Sequence, residues 1–332
     1  VSGWNDLRGN FTRVQAPGKA ILFGEHAVVY GGPAVVLAID LASRLDIFPD
    51  NRAGPSLFNG RPWSTLSNPY VREAFERYAP AEAREGCRFE FRSRIPPASG
   101  LGSSASLTVC LVTAFHQWSR ETSRELWAQA SYAAERAAQG VGSPVDTSAV
   151  VAGGLLLVGN PLCRPLLWTI PPVSGMGPWP VQRIADPGWS WVVGYSGVPK
   201  STGTLVLRVR ERLGGPDGSA RLRAFQEVAL RGMDAIERRD RMEVGRCLEE
   251  NHRLLADLGV STPRLEALRQ AVQPFAEGSK LTGAGGGGAI LVLPRPGQDG
   301  NALRAIARAG GVPFLVRPDR EGVRVLQGRQ AS

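Results

Sequence analysis

Two glycine-dense turns constrain this chain more than any other feature of its sequence. Gly100-Leu101-Gly102-Ser103-Ser104-Ala105 stands between a strand-like and a helix-like segment, and Thr282-Gly283-Ala284-Gly285-Gly286-Gly287-Gly288 runs straight into an apolar strand. Glycine reaches positive φ without a Cβ penalty, so such runs let backbone approach a ligand or another loop closely. Where the turn opens a helix, the unpaired N–H groups of the first turn converge on one point and suit a phosphate. The first loop also fits the loose G-x-G-x-x-G/A dinucleotide pattern. The strand before it, however, carries Arg88, Glu90, Arg92 and Arg94, where a Rossmann unit requires a buried strand. No G-x-x-x-x-G-K-[ST] string is present, which excludes a P-loop enzyme. Taken singly, the two loops also read as a plain turn and a plain linker.

Around these turns the periodicity is mixed. Strands are expected at 20–23, 27–30 and 34–39, and 88–95 alternates charged with apolar residues in the period of a strand with one wet face. Leu107, Leu111, Phe115 and Trp118 recur on one face of a helix over about 104–118. A second helix is expected to start at the capping box Thr122-x-x-Glu125 and to stop at Gly140. Residues 160–190 are rich in Pro and Gly and read as a connector with little regular structure of its own. A strand at 191–195 follows, then helices at 219–237, 240–258 and 263–273, the last capped by Thr262 with Pro263 at its first position. A buried strand at 289–293, a short helix at 301–309 and a closing hairpin over 312–326 complete the pattern. Strands and helices mix without strict βαβ alternation, so the expectation is α+β, with domains at 1–180 and 181–332.

Composition narrows the function. With 332 residues, 43% of them hydrophobic, the chain can bury two cores without staples. The net charge of +9 invites an anionic partner, yet acids interleave the basic residues, as in Arg208-Val209-Arg210-Glu211-Arg212, so a solvated surface is the better reading than a nucleic-acid stripe. Only Lys19, Lys200 and Lys280 are lysines among 39 basic residues, and all three lie in or beside segments that matter below. No apolar run approaches the roughly 18 residues of a membrane helix. Cys87, Cys110, Cys163 and Cys247 lack C-x-x-C spacing, and no basic-then-apolar leader opens the sequence; reduced thiols and a cytoplasmic location are expected.

Three segments together carry a family resemblance. They are Ala16-Pro17-Gly18-Lys19-Ala20-Ile21-Leu22-Phe23-Gly24-Glu25-His26-Ala27-Val28-Val29-Tyr30-Gly31, Pro96-Pro97-Ala98-Ser99-Gly100-Leu101-Gly102-Ser103-Ser104-Ala105, and Lys280-Leu281-Thr282 with the glycine run that follows it. In this order and spacing they resemble the three motifs of the GHMP kinases, and the first is most similar to that of mevalonate kinases. Pro199-Lys200-Ser201-Thr202 and Leu258-Gly259-Val260-Ser261 extend the resemblance over most of the chain.

The resemblance implies a two-domain GHMP kinase fold with an active-site cleft between the lobes, and ATP and Mg2+ as cofactors. The loop of Pro97, Ser99, Gly100, Leu101, Gly102, Ser103, Ser104 and Ala105 would wrap the ATP phosphates. Ser104, or Ser103, and Glu135 would hold magnesium. Asp146 would be the catalytic carboxylate, paired with Lys19, while Glu25, His26, Thr202 and Gly285 would line the substrate side. By themselves Glu135 reads as a solvated helix position, Asp146 as a cap and His26 as a strand-end histidine. The stretch Val141-Gly142-Ser143-Pro144-Val145-Asp146 departs from the commoner N-P-S-G-x-D form but keeps the aspartate. The implied reaction is phosphorylation of the 5-hydroxyl of (R)-mevalonate. Phosphomevalonate, homoserine, a sugar or the 3-hydroxyl of mevalonate are alternative acceptors, and a non-catalytic ligand sensor is the rival from another class. Neither nucleic acid nor membrane is expected as a partner; a homodimer is the family-based expectation.

Overall fold

The computed structural model describes residues 10–50, 54–140, 142–199 and 203–329. Val141 and the segment Lys200-Ser201-Thr202 therefore lie outside the described residues. The first part of the chain runs β1 (Asn10–Phe23), β2 (Ala34–Pro49), the short β3 (Leu57–Phe58) and β4 (Arg61–Pro62), α1 (Pro69–Tyr78), α2 (Ala81–Arg84) and β5 (Cys87–Ser93). It continues through α3 (Ser103–Trp118), α4 (Arg124–Gln139), α5 (Val145–Ala152), β6 (Leu155–Val158), β7 (Leu166–Ile170) and β8 (Trp179–Ile184). The second part holds β9 (Trp191–Tyr195), α6 (Gly203–Gly214), α7 (Gly218–Glu237), α8 (Arg241–Asp257), α9 (Pro263–Val272), β10 (Ala276–Thr282), β11 (Ala289–Pro294), α10 (Asp299–Arg308), β12 (Val312–Val316) and β13 (Arg324–Arg329).

Among the described residues the larger sheet has nine strands. Its axis is the antiparallel pair β1 and β2, with Lys19 opposite Ala38. The other edge of β2 is shared by β6, alongside Ala34 to Leu37, and by β5, alongside Ser43 to Pro49. A four-stranded antiparallel sheet in the order β10-β11-β9-β12 forms the second layer. Residues 34–39 of β2 are buried without a break, and strand periodicity divides them between two cores. Ala34 and Val36 join the core with α3, α4 and α5, while Val35, Leu37 and Ile39 join one that also holds residues of β9, β11, α7 and α8. The central strands are thus covered on both faces, and the second core joins the two sheets.

Several expectations hold: strands at 20–23, 34–39 and 191–195, and the helix capped by Thr262, whose Oγ1 accepts from the N–H of Leu265. Others need correction. Residues 27–30 form a 3-10 turn, closed by the N–H of Gly31 on the carbonyl of Val28, with Gly31 at φ 86°. The helix α4 is capped by Ser123, whose Oγ accepts from the N–H of Leu126, in place of Thr122. Helix α3 is buried from Ala105 to Phe115 all round, not along one face. The expected connector contains β7 and β8, joined by a turn over 171–178 that holds Pro171, Pro172, Gly175, Gly177 and Pro178, while Trp168, Ile170, Trp179 and Val181 point into the core. The closing hairpin does not form: β12 pairs with β9, whereas β13 crosses to the large sheet and pairs with β1. Helices α1 and α6 were not expected, although Asn68 before Pro69 is a cap signal and its Oδ1 accepts from the N–H groups of Tyr70 and Val71. No helix among the described residues is long and apolar enough to cross a membrane.

Under the large sheet, Phe75 stacks on Trp63 at 5.0 Å and meets Phe89 and Phe115 edge-on at 5.1 and 5.0 Å. Its ring is fully buried. Phe75→Ala should therefore lower the unfolding free energy by about 3–5 kcal/mol in a denaturant titration; a loss below 1 kcal/mol would show that this cluster does not organise the first core.

Candidate active site

The site is built outward from one buried cation. Lys19, 2% exposed, sits in the middle of the long β1 and ends in an ammonium that donates to the carbonyl of Gly100 at 2.9 Å. The same Nζ lies 2.9 Å from Oδ2 of Asp146. A buried ammonium without partners is costly, so these two oxygens hold the charge in place. Asp146 occupies the first turn of α5, where the helix dipole favours a negative charge, and its side chain is 28% exposed. The lysine backbone is tied to the same loop, its N–H bonding the carbonyl of Leu101 at 2.9 Å. Gly102, at φ 81°, starts α3; a Cβ there would stand 2.9 Å from Cγ of Lys19. Close packing of loop against lysine therefore requires glycine.

In the first turn of α3, Ser104 donates from Oγ to Oε1 of Glu135 on α4 at 2.8 Å, and Gln139 donates to the same oxygen at 3.1 Å. Glu135 is buried, not the solvated helix position that the residue suggests when taken alone. Tyr70, from α1, lies close to Ser104, Glu135 and Gln139. Burial, then the charge of Glu135, raises the pKa of its phenol, which is the donor form at neutral pH. Among the described residues no group of three or more His, Cys, Asp and Glu is arranged to hold a metal. A hydroxyl and a carboxylate side by side still suit magnesium, which takes oxygen ligands and keeps several waters. Ser99 shapes the loop from within: its buried Oγ donates to the carbonyl of Pro96 at 2.7 Å and accepts from the N–H of Leu101 at 3.3 Å, while Pro97 is exposed.

The second glycine run packs against the first. A Cβ on Gly100, at φ 82°, would lie 2.7 Å from the carbonyl oxygen of Thr282. The run is anchored on its far side by the N–H of Gly286 on the carbonyl of Val260, and Gly285 backs onto the same residue. His26 reaches it as well, with Nε2 3.3 Å from the carbonyl of Ala284. Burial lowers the His26 pKa, so the ring is neutral at pH 7 and that nitrogen is the donor. Glu25, the neighbouring residue, is buried, with Lys280 on one oxygen and Asn251 on the other. Thr202 lies outside the described residues.

The structure thus brings together Lys19, Asp146, Ser104, Glu135 and both glycine runs. The family profiles described as GHMP kinases N terminal domain and GHMP kinases C terminal match residues 69–154 and 233–312. A mevalonate kinase of Pyrococcus horikoshii is 33% identical, over 95% of this chain and 98% of its own. The chain belongs to the GHMP kinase family, among the mevalonate kinases. The crystal structure of the Methanococcus jannaschii mevalonate kinase matches this GHMP kinase with a TM-score of 0.75 at 25% identity, covering 94% of this chain and 99% of that one. A Streptococcus pneumoniae phosphomevalonate kinase reaches a TM-score of 0.75 at 18% identity, over 92% of this chain and 98% of that one, a likeness of fold alone.

Sequence reasoning missed Tyr70, Gln139, Asn251 and His252. Only the Asn68-Pro69 cap, which announces α1, could have drawn notice to Tyr70. His252, on α8, fixes β10: its Nδ1 accepts from the N–H of Leu281 at 3.2 Å, and Nε2 meets Oε1 of Glu266 at 2.7 Å. Nδ1 therefore carries no proton, and burial, reinforced by Arg269, pushes the ring's pKa down to about 4.

Two predictions follow from this packing. Gly31 shares the positive φ of Gly100 but has open space where a Cβ would go. Gly31→Ala should cost about 1 kcal/mol of conformational strain, and Gly100→Ala roughly 1–3 kcal/mol more by overpacking; equal losses in thermal denaturation would remove the loop-on-loop contact from the account. Unfolded, His252 binds a proton below about pH 6.5; folded, it resists until about pH 4. Stability should thus fall as pH drops through that window, by up to ~3 kcal/mol. His252→Asn should lose this part of the dependence and show a shallower slope than the parent; a variant with the same pH slope as the parent would contradict this.

Proposed function

We propose that this GHMP kinase transfers the γ-phosphoryl group of ATP to the 5-hydroxyl of (R)-mevalonate, giving 5-phosphomevalonate and ADP in the cytoplasm. The observation that carries the reading is the Lys19–Asp146 pair at 2.9 Å, anchored on the carbonyl of Gly100 within the glycine loop. Phosphoryl transfer asks little covalent chemistry of the protein; alignment and charge neutralisation supply most of the acceleration. Asp146, the more exposed partner, accepts the proton of the acceptor hydroxyl, and the Lys19 ammonium stabilises negative charge on that oxygen as it attacks. The N–H groups at the start of α3 and of the loop from Pro97 to Ala105 bind the phosphates. Ser104 and Glu135 would hold Mg2+, which supplies charge neutralisation at the phosphates; Gln139, donating to Glu135, orients that carboxylate. In this reading 1–180 is the nucleotide and catalytic half, while 181–332 closes the acceptor side, with His26, Gly285 and Thr202 along it.

The fold it shares with a phosphomevalonate kinase leaves the acceptor to be decided by chemistry. ADP release should be fastest with mevalonate across a panel that includes phosphomevalonate, homoserine and galactose, and preference for another acceptor would overturn the assignment. Asp146→Asn and Lys19→Met should each lower kcat by about 10^3-fold or more with the fold intact. Near-parental turnover in both variants would remove their roles.

A further inference from the structure

One residue before His26, a second ionic cluster is closed off from solvent. Lys280 on β10 is fully buried and pairs with Glu25, whose side chain is 2% exposed. Nζ of Lys280 also donates to the carbonyls of Leu281 at 2.6 Å and Ile21 at 3.3 Å, so each ammonium proton has an acceptor. The second Glu25 oxygen accepts from Nδ2 of Asn251 on α8 at 3.1 Å, and Oδ1 of Asn251 accepts from the N–H of Gly24 at 3.4 Å. Thr282 adds a two-way link to the backbone of Ile21, accepting from its N–H at 3.0 Å and donating to its carbonyl at 3.2 Å. The end of β1 and the turn after it are thereby fastened to α8 and β10, elements of the other sheet's layer.

A carboxylate 2% exposed, with each oxygen accepting from a group inside the protein, presents almost no surface to a ligand. Nor is a buried ion pair an efficient source of stability, since well-packed apolar residues of similar volume commonly do as well. What such a pair imposes is a fixed mutual position, because any displacement leaves a buried charge unpaired. We propose that Glu25 is a positioning residue and not a ligand of the alcohol substrate: locked between Lys280 and Asn251, it fixes the turn that holds His26 against the second glycine run. The proposal rests on the kinase reading above.

Steady-state kinetics on the full chain, with thermal denaturation to establish that each variant is folded at the assay temperature, test it. Lys280→Met strands the Glu25 carboxylate and should lower kcat/KM for mevalonate roughly 10-fold or more. The double variant Glu25→Gln with Lys280→Met, which removes both charges, should recover most of that loss. Asn251→Ala, which alters no charge, should raise KM for mevalonate several-fold while KM for ATP stays within about 2-fold. Losses that multiply in the double variant, as a direct Glu25 contact with substrate requires, would overturn the proposal, and so would an unchanged mevalonate KM in Asn251→Ala. Should Lys280→Met not fold, the double variant and Asn251→Ala still decide the question. A parent enzyme that phosphorylates no alcohol defeats the functional reading, and this proposal with it; an active parent with multiplicative variants defeats this proposal alone.

Discussion

A lysine ammonium withdrawn from water sets the terms for everything around it. Lys19 is buried in the middle of the longest strand pairing of the protein, and its charge is tolerable only where oxygens meet it. One of those oxygens belongs to the glycine loop before α3 and the other to the first turn of α5, so a single charge fixes three elements to each other. The requirement reaches the glycines: the loop can lie over the lysine stem only because Gly102 has no Cβ. Asp146, partly exposed, then faces outward from a dry foundation, which is the arrangement a proton acceptor needs if its orientation is to survive thermal motion.

The same economy governs the two sheets. Because β2 is apolar on both faces at its start, alternate residues feed separate cores, and one of these cores is shared with the four-stranded layer. The two glycine runs meet where the layers meet, backbone against backbone at Gly100 and Thr282. Polar fastenings concentrate at this junction. Lys280, Glu25 and Asn251 lie on one side of it, and His252 holds the neighbouring residue of β10. Apolar burial brings the layers together without choosing an alignment, whereas paired charges and directional hydrogen bonds accept only one.

Much of this was legible beforehand. The helices capped by Thr262 and Gly140 and the strands at 34–39 and 191–195 follow from local periodicity and capping chemistry, which act over a few residues. The errors share one cause. Residues 27–30 have the composition of a strand but lie between Gly24 and Gly31, both at positive φ, and turn instead. Prolines and glycines over 171–178 hid β7 and β8, which pair with each other across that turn and, through β8, with β6. The 312–326 segment looked like a hairpin because its strands are close in sequence, yet each finds a better edge elsewhere, β12 on β9 and β13 on β1. Tyr70 carried no signal because a lone tyrosine gains meaning only from what surrounds its hydroxyl.

The sequence by itself determined the chemistry on offer: two glycine runs able to bind close to other groups, a lysine, an aspartate, a serine and a glutamate in the order of a GHMP kinase, and a charge distribution unsuited to a nucleic-acid stripe. Residue type and local spacing fix such properties, since they depend on side-chain functional groups and on backbone freedom. Tertiary structure alone decided which groups meet. It gave Lys19 to Asp146, Ser104 to Glu135 and Glu25 to Lys280, pairs separated by up to most of the chain length. Long-range pairing of charges depends on burial, and burial is a property of the packed whole that no window of sequence contains.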